Sequence, residues 1–78
     1  MSTFEKVQAA LASQLNIKKE RITPETVIKK DLGADSLDLV EILMAFEDEY
    51  KINFDEESIE RMQTVADVVK IIDELGIK

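Results

Sequence analysis

Three stretches of this chain repeat apolar residues every three or four positions, a spacing that favours packed helices over any sheet. Phe4, Val7, Leu11 and Leu15 make the first stretch. Leu39, Ile42, Leu43, Phe46 and Tyr50 make the second, and Val65, Val68, Val69, Ile72 and Leu75 the third. Each repeat gives a helix one apolar face to bury and leaves the opposite face to charged residues. The punctuation agrees. Ser2-Thr3-Phe4-Glu5 reads as a capping box opening the first helix, and Asn16 suits its end. Asp35 suits the cap of a second helix from Ser36 to Tyr50, and Asp55 opens a short one reaching about Met62. Thr64-Val65-Ala66-Asp67 forms another box at the start of the last helix, and Gly76 suits its C-terminal cap.

Residues 16 to 35 remain as a long connection, with Pro24 and Gly33 as breakers. At about twenty residues it exceeds ordinary loops, which implies function or a short helical turn inside it. Ile17, Ile22, Val27, Ile28 and Leu32 are expected to pin it to the core. Lys51-Ile52-Asn53-Phe54 alternates as a strand does, but it is too short to build a sheet. The predicted architecture is all-α: a small helical bundle of three main helices plus one short helix, in a single domain over residues 1–78.

A chain of 78 residues hides only about 60–65% of its unfolded surface, so its core is small and its stability marginal. Without cysteine there is no disulfide framework. No apolar run approaches the ~20 residues that span a bilayer, and no basic-then-apolar leader opens the chain. The sequence therefore predicts a soluble, cytoplasmic monomer. Its net charge of −7 is unevenly spread: residues 31–60 hold eleven acids and one base, Lys51, while the remainder carries +3. Such a field repels nucleic acid and anionic membranes and steers basic protein surfaces toward the acidic segment.

Within that segment, Asp31-Leu32-Gly33-Ala34-Asp35-Ser36-Leu37-Asp38 places one serine where the long loop turns into a helix. Ser36 read locally is a first-turn residue, with Asp35 as N-cap and Asp38 completing an acidic variant of the capping box. Its hydroxyl is then free of the backbone. A nucleophilic serine needs a base, and the chain has neither histidine nor cysteine. The serine is better suited to being acted upon than to acting.

That run, continued by Leu39-Val40-Glu41, closely resembles the attachment-site signature of acyl carrier proteins, and the likeness in length, charge and helix order extends along nearly the whole chain. The resemblance implies that Ser36 carries 4′-phosphopantetheine through a phosphodiester, with Asp35 and Leu37 beside it. A separate phosphopantetheinyl transferase would add the group from coenzyme A. Its thiol would hold growing fatty acyl chains as thioesters for the enzymes of fatty-acid biosynthesis. The arm is expected to point into solvent, since Asp35 and Asp38 oppose a phosphate on the helix end while the helix dipole favours it.

Turning the second helix by roughly 100° per residue sets Leu37, Glu41, Met44 and Asp48 opposite the core face, with Asp38 near the edge. Scattered surface hydrophobes are common, but two of them among carboxylates suit a docking surface where acids steer and apolar groups hold. The resemblance implies the same for Leu37, Asp38, Glu41, Met44, Glu47 and Asp48, facing basic patches on synthases, transferases and reductases. It also implies a shelter for the acyl chain, for which Ile28, Leu43, Phe46, Ile59, Met62, Val65 and Ile72 are candidates. Each of them also reads as ordinary core. Two places depart from the family pattern: Lys29 and Lys30 stand where acidic or apolar residues are frequent, and Asn53-Phe54-Asp55 stands where an Ile-Pro-Asp type sequence is often seen.

Rival readings fare unequally. Gly33-Ala34-Asp35-Ser36-Leu37 is similar to the Gly-Asp-Ser-Leu block of a hydrolase family, but the inserted Ala and the missing base argue against catalysis. A calcium loop starting at Asp31 puts Ser36 where the central glycine belongs and Ile42 where a bidentate Glu belongs, so no metal site is expected. An unmodified acidic interaction module would explain the charge and the helices but not the serine signature. A peptidyl or D-alanyl carrier stays closer, and the strongly acidic second helix favours fatty-acid work.

Overall fold

The computed structural model describes residues 2–75. Five α-helices follow one another: α1 Thr3–Leu15, α2 Ile28–Leu32, α3 Ser36–Tyr50, α4 Glu56–Glu60 and α5 Val65–Leu75, with a 3-10 turn at Lys19–Arg21. Local chemistry accounts for most of their ends. Ser2 Oγ accepts the Glu5 N–H at 3.1 Å and Glu5 Oε1 accepts the Ser2 N–H at 3.0 Å, closing the capping box of α1. Asn16, at φ 56°, takes the left-handed conformation that ends it, one that asparagine tolerates better than most residues. Asp55 caps α4 by accepting the Ser58 N–H at 2.7 Å. Thr64 and Asp67 exchange hydrogen bonds at the start of α5. The Thr64 N–H, and then the Gln63 N–H, favour the ionised Asp67 carboxylate and hold its pKa below the usual range.

The long connection holds the helical turn that its length pointed to, and more. Besides the 3-10 turn it holds α2, a second short helix beyond the one predicted. Ile28 and Leu32 are its apolar pair at i and i+4, Asp31 Oδ2 accepts the Val27 N–H at 2.8 Å, and Gly33 ends it at φ 68°. A single turn flanked by Lys29, Lys30 and Asp31 is too short to register as an apolar period. α4 also ends at Glu60, two residues short of Met62, because its carbonyls are already satisfied by a tight turn through Arg61 and Met62. Gly76, read as the cap of the last helix, lies outside the described residues.

The core draws on every main helix. Val7 and Leu11 of α1, Leu39, Ile42, Leu43 and Phe46 of α3, and Val65, Val68, Ile71 and Ile72 of α5 are all buried. Ile71 belongs to the buried face of α5, whereas Val69 is half-buried and Leu75, at the last turn, is 44% exposed. Ile22 and Ile28 pin the connection as expected, and Ile17, Val27 and Leu32 are half-buried against the same core.

A short backbone staple joins distant parts of the chain. Val27 and Thr64 form an antiparallel bridge. Around it Ile28 N–H donates to Gln63 O at 2.9 Å, Val65 N–H to Thr26 O at 3.0 Å, and Ala66 N–H to Pro24 O at 2.9 Å. These bonds tie the start of α2 to the start of α5 and bring α4 alongside the N-terminus of α3. Among the described residues, no helix is long and apolar enough to cross a membrane.

A candidate attachment site at the start of α3

The turn before α3 positions its serine firmly. Ala34 is buried at 3% exposure and anchors the strand of backbone that leaves Gly33. Asp35 is the N-cap: its Oδ1 accepts the Asp38 N–H at 3.0 Å, while Asp38 Oδ2 accepts the Asp35 N–H at 3.3 Å. Ser36 follows as the first helical residue and is exposed. Among the described residues its hydroxyl has no hydrogen-bond partner, so the backbone has no need of it. Substituting its Oγ would break no contact of the fold.

Beside Ser36 lies a crevice of about 310 Å³ between α3 and α4. Leu39, Ile59 and Met62 give it apolar walls, and Lys29 and Gln63 stand among the polar residues around it. Of the seven residues read as acyl-shelter candidates, Ile59 and Met62 line this crevice. Ile28, Leu43, Val65 and Ile72 are packed in the closed core at 2% exposure or less. Phe46 is buried and edges a different groove, against Ala9, Ala10 and Ala45. Leu39 and Val27 also line the crevice, whereas the sequence reading gave Leu39 to the core face of the second helix and Val27 to the anchoring of the connection, not to the shelter. Leu39 could have been found, since it sits three residues after Ser36 on one helix; Val27 arrives only through the staple to Thr64.

The residues read as a docking face divide into two groups. Leu37 and Met44 are 65% and 60% exposed, and with exposed Glu41 and Asp48 they follow one another at four-, three- and four-residue steps along an outward stripe. Glu41 Oε1 accepts a hydrogen bond from Gln14 Nε2 at 2.6 Å, which orients it from α1. Asp38 and Glu47 are half-buried and committed to backbone: Asp38 to the capping box, Glu47 Oε2 to the Phe54 N–H at 2.8 Å.

A hydroxyl that is exposed, unbonded and set on a capped helix beside an apolar crevice suits a covalent attachment point. A family described as a phosphopantetheine attachment site matches residues 5–72. The acyl carrier protein of Helicobacter pylori strain J99 is 47% identical over 74 residues, covering 95% of each chain. That of strain G27 is 46% identical over the same span. Among solved structures, the apo doublet acyl carrier protein from prodigiosin biosynthesis superposes with a TM-score of 0.80 at 20% identity, which supports the fold alone. That match covers 97% of this chain and 37% of the doublet. The chain belongs to the phosphopantetheine attachment-site family and, within it, to the acyl carrier proteins. Its prosthetic group is therefore a covalently attached 4′-phosphopantetheine, and it is a carrier of fatty acyl groups.

Proposed function

We propose that Ser36 is the attachment point, and that this single carrier domain, a cytoplasmic monomer, presents acyl thioesters to successive enzymes of fatty-acid biosynthesis through the outward stripe of α3. The observation that supports the first part is the free, exposed hydroxyl of Ser36 at the first position of a capped helix. The chain supplies no histidine or cysteine to activate it. As Oγ bonds to the phosphorus that carries the pantetheine, the pyrophosphate P–O bond of coenzyme A breaks, adenosine 3′,5′-bisphosphate leaves, and the hydroxyl proton passes to a base supplied by the phosphopantetheinyl transferase. When attached, the arm supplies a thiol, which holds the acyl group as a thioester.

The residues of this chain do the remaining work. Asp35 and Asp38 fix the direction of the first helical turn through their reciprocal hydrogen bonds. Leu39, Ile59 and Met62 offer an apolar surface beside the attachment point. Leu37 and Met44 provide apolar contact, and Glu41 and Asp48 provide charge, toward a basic partner surface. Exposed ion pairs are worth at most about 1 kcal/mol each, which suits encounters that must end quickly.

Incubation with coenzyme A, magnesium and a phosphopantetheinyl transferase tests the attachment. Intact-mass measurement should show one added arm, and fragmentation should place it on Ser36; an arm on any other residue would refute the assignment. The docking stripe has its own test. Glu41→Lys should slow acyl transfer with a basic-patched synthase by about two- to five-fold at low salt, the effect fading as salt rises. Unchanged rates and an unchanged salt response would remove Glu41 from the stripe.

A further inference from the structure

Lys29 is the base among the residues that line the Ser36 crevice, and among the described residues it forms no ion pair. Three acids of the attachment turn each accept a backbone N–H. Asp31 Oδ2 accepts the Val27 N–H at 2.8 Å, and Asp35 and Asp38 are committed to each other's backbone at 3.0 and 3.3 Å. Glu60 borders the same crevice without pairing with Lys29. The backbone under Lys29 is secured as well. Ile28, one residue before it, is buried at 1% exposure and donates its N–H to Gln63 O at 2.9 Å. The lysine stem thus rises from a pinned position, while the residue as a whole stays exposed.

A phosphodiester on Ser36 Oγ would bring a permanent negative charge between Asp35 and Asp38, inside a segment that already holds eleven acids against one base. A compact ammonium is a fitting counter-charge for such a group. Both residues border one cavity of about 310 Å³, and charges that meet within the Debye length of about 8 Å at physiological salt attract each other with only partial screening. Lys30 carries the same charge one residue along the chain but takes no part in the crevice wall.

We propose that Lys29 is a positioning residue for the prosthetic arm: its ammonium pairs with the phosphodiester on Ser36 and holds the root of the arm over the crevice between α3 and α4. The proposal rests on the reading of Ser36 as the attachment point. Wild type, Lys29→Gln, Lys29→Arg and Lys30→Gln are loaded, checked by intact mass and compared by 31P NMR at low and high salt. In Lys29→Gln the 31P resonance should shift, its line should narrow as the arm root gains freedom, and the salt response of the wild type should be lost. Lys29→Arg should restore the wild-type spectrum, and Lys30→Gln should match it throughout. Identical spectra for wild type and Lys29→Gln, an equal change in Lys30→Gln, or a Lys29→Arg spectrum that follows Lys29→Gln would each overturn the pairing while leaving Ser36 as the attachment point. Wild-type protein that gains no mass would overturn the attachment itself and this proposal with it.

Discussion

Ser36→Ala is expected to abolish loading completely while the protein folds as well as the wild type. The separation of the two effects follows from the geometry. The cap of α3 is Asp35, and its hydrogen bonds run to Asp38 and not to Ser36. The Ser36 side chain is exposed and unbonded among the described residues, so its removal should change stability by no more than about 0.5 kcal/mol. Chemistry is affected absolutely, because alanine has no oxygen to bond to phosphorus. The other serines are Ser2, Ser13 and Ser58. Ser2 is occupied in the α1 capping box, Ser13 lies in the last turn of α1, and Ser58, although in the first turn of α4, is half-buried and is its third residue rather than the one that follows the cap. Each of these replaced by Ala should load fully. Intact mass after transferase treatment, alongside a thermal melt, decides the matter: residual loading of Ser36→Ala would show that another hydroxyl serves, and a collapsed melt would show that Ser36 has a structural role.

Ile72→Ala should produce a loss of stability among the largest that a single truncation can cause here. Ile72 is fully buried, at 0% exposure, between α5 and the rest of the core. Deleting its outer carbons removes apolar burial and leaves a void that packed neighbours fill only partly, at a cost of about 3 kcal/mol. A chain of 78 residues has only about 4–12 kcal/mol of total stability to lose. The melting temperature should fall by roughly 12–24 °C. Leu37→Ala is the matching control, since Leu37 is 65% exposed and its truncation should stay within about 0.5 kcal/mol. A drop of only a few degrees for Ile72→Ala would mean that the core is more open around α5 than its burial indicates.

The parts of the fold that a sequence can announce are those decided by neighbours along the chain. Helices α1, α3 and α5 were legible because Leu11, Phe46 or Ile72 recur in step with a helix turn. Their starts were legible because Ser2, Asp35 and Thr64 sit three residues before an acid that completes the cap. The length of the connection pointed to a helical turn within it, but α2 could not be placed, because one turn contains one apolar pair, Ile28 and Leu32, and a pair has no period. The same boundary runs through the site. Ser36 was evident from its local signature, and so was the outward placement of Leu37 and Met44. The crevice was not, because Val27, Lys29 and Gln63 meet Ser36 only through the pairing of Val27 with Thr64, far apart in sequence. Glu47 shows the converse: the family resemblance counts it with the docking face, but a backbone N–H seven residues later claims its carboxylate.

The bridge at Val27 and Thr64 also sets how much chain belongs to the lobe that bears the serine. The bonds at Ile28, Val65 and Ala66 close residues 28–64 into one loop, which carries Ser36, the crevice and the outward stripe. Leu39, Ile42, Leu43 and Phe46 fasten that loop to the common core along α3, whereas no residue of α4 itself is fully buried. Any widening of the crevice therefore falls to α4 rather than to α3.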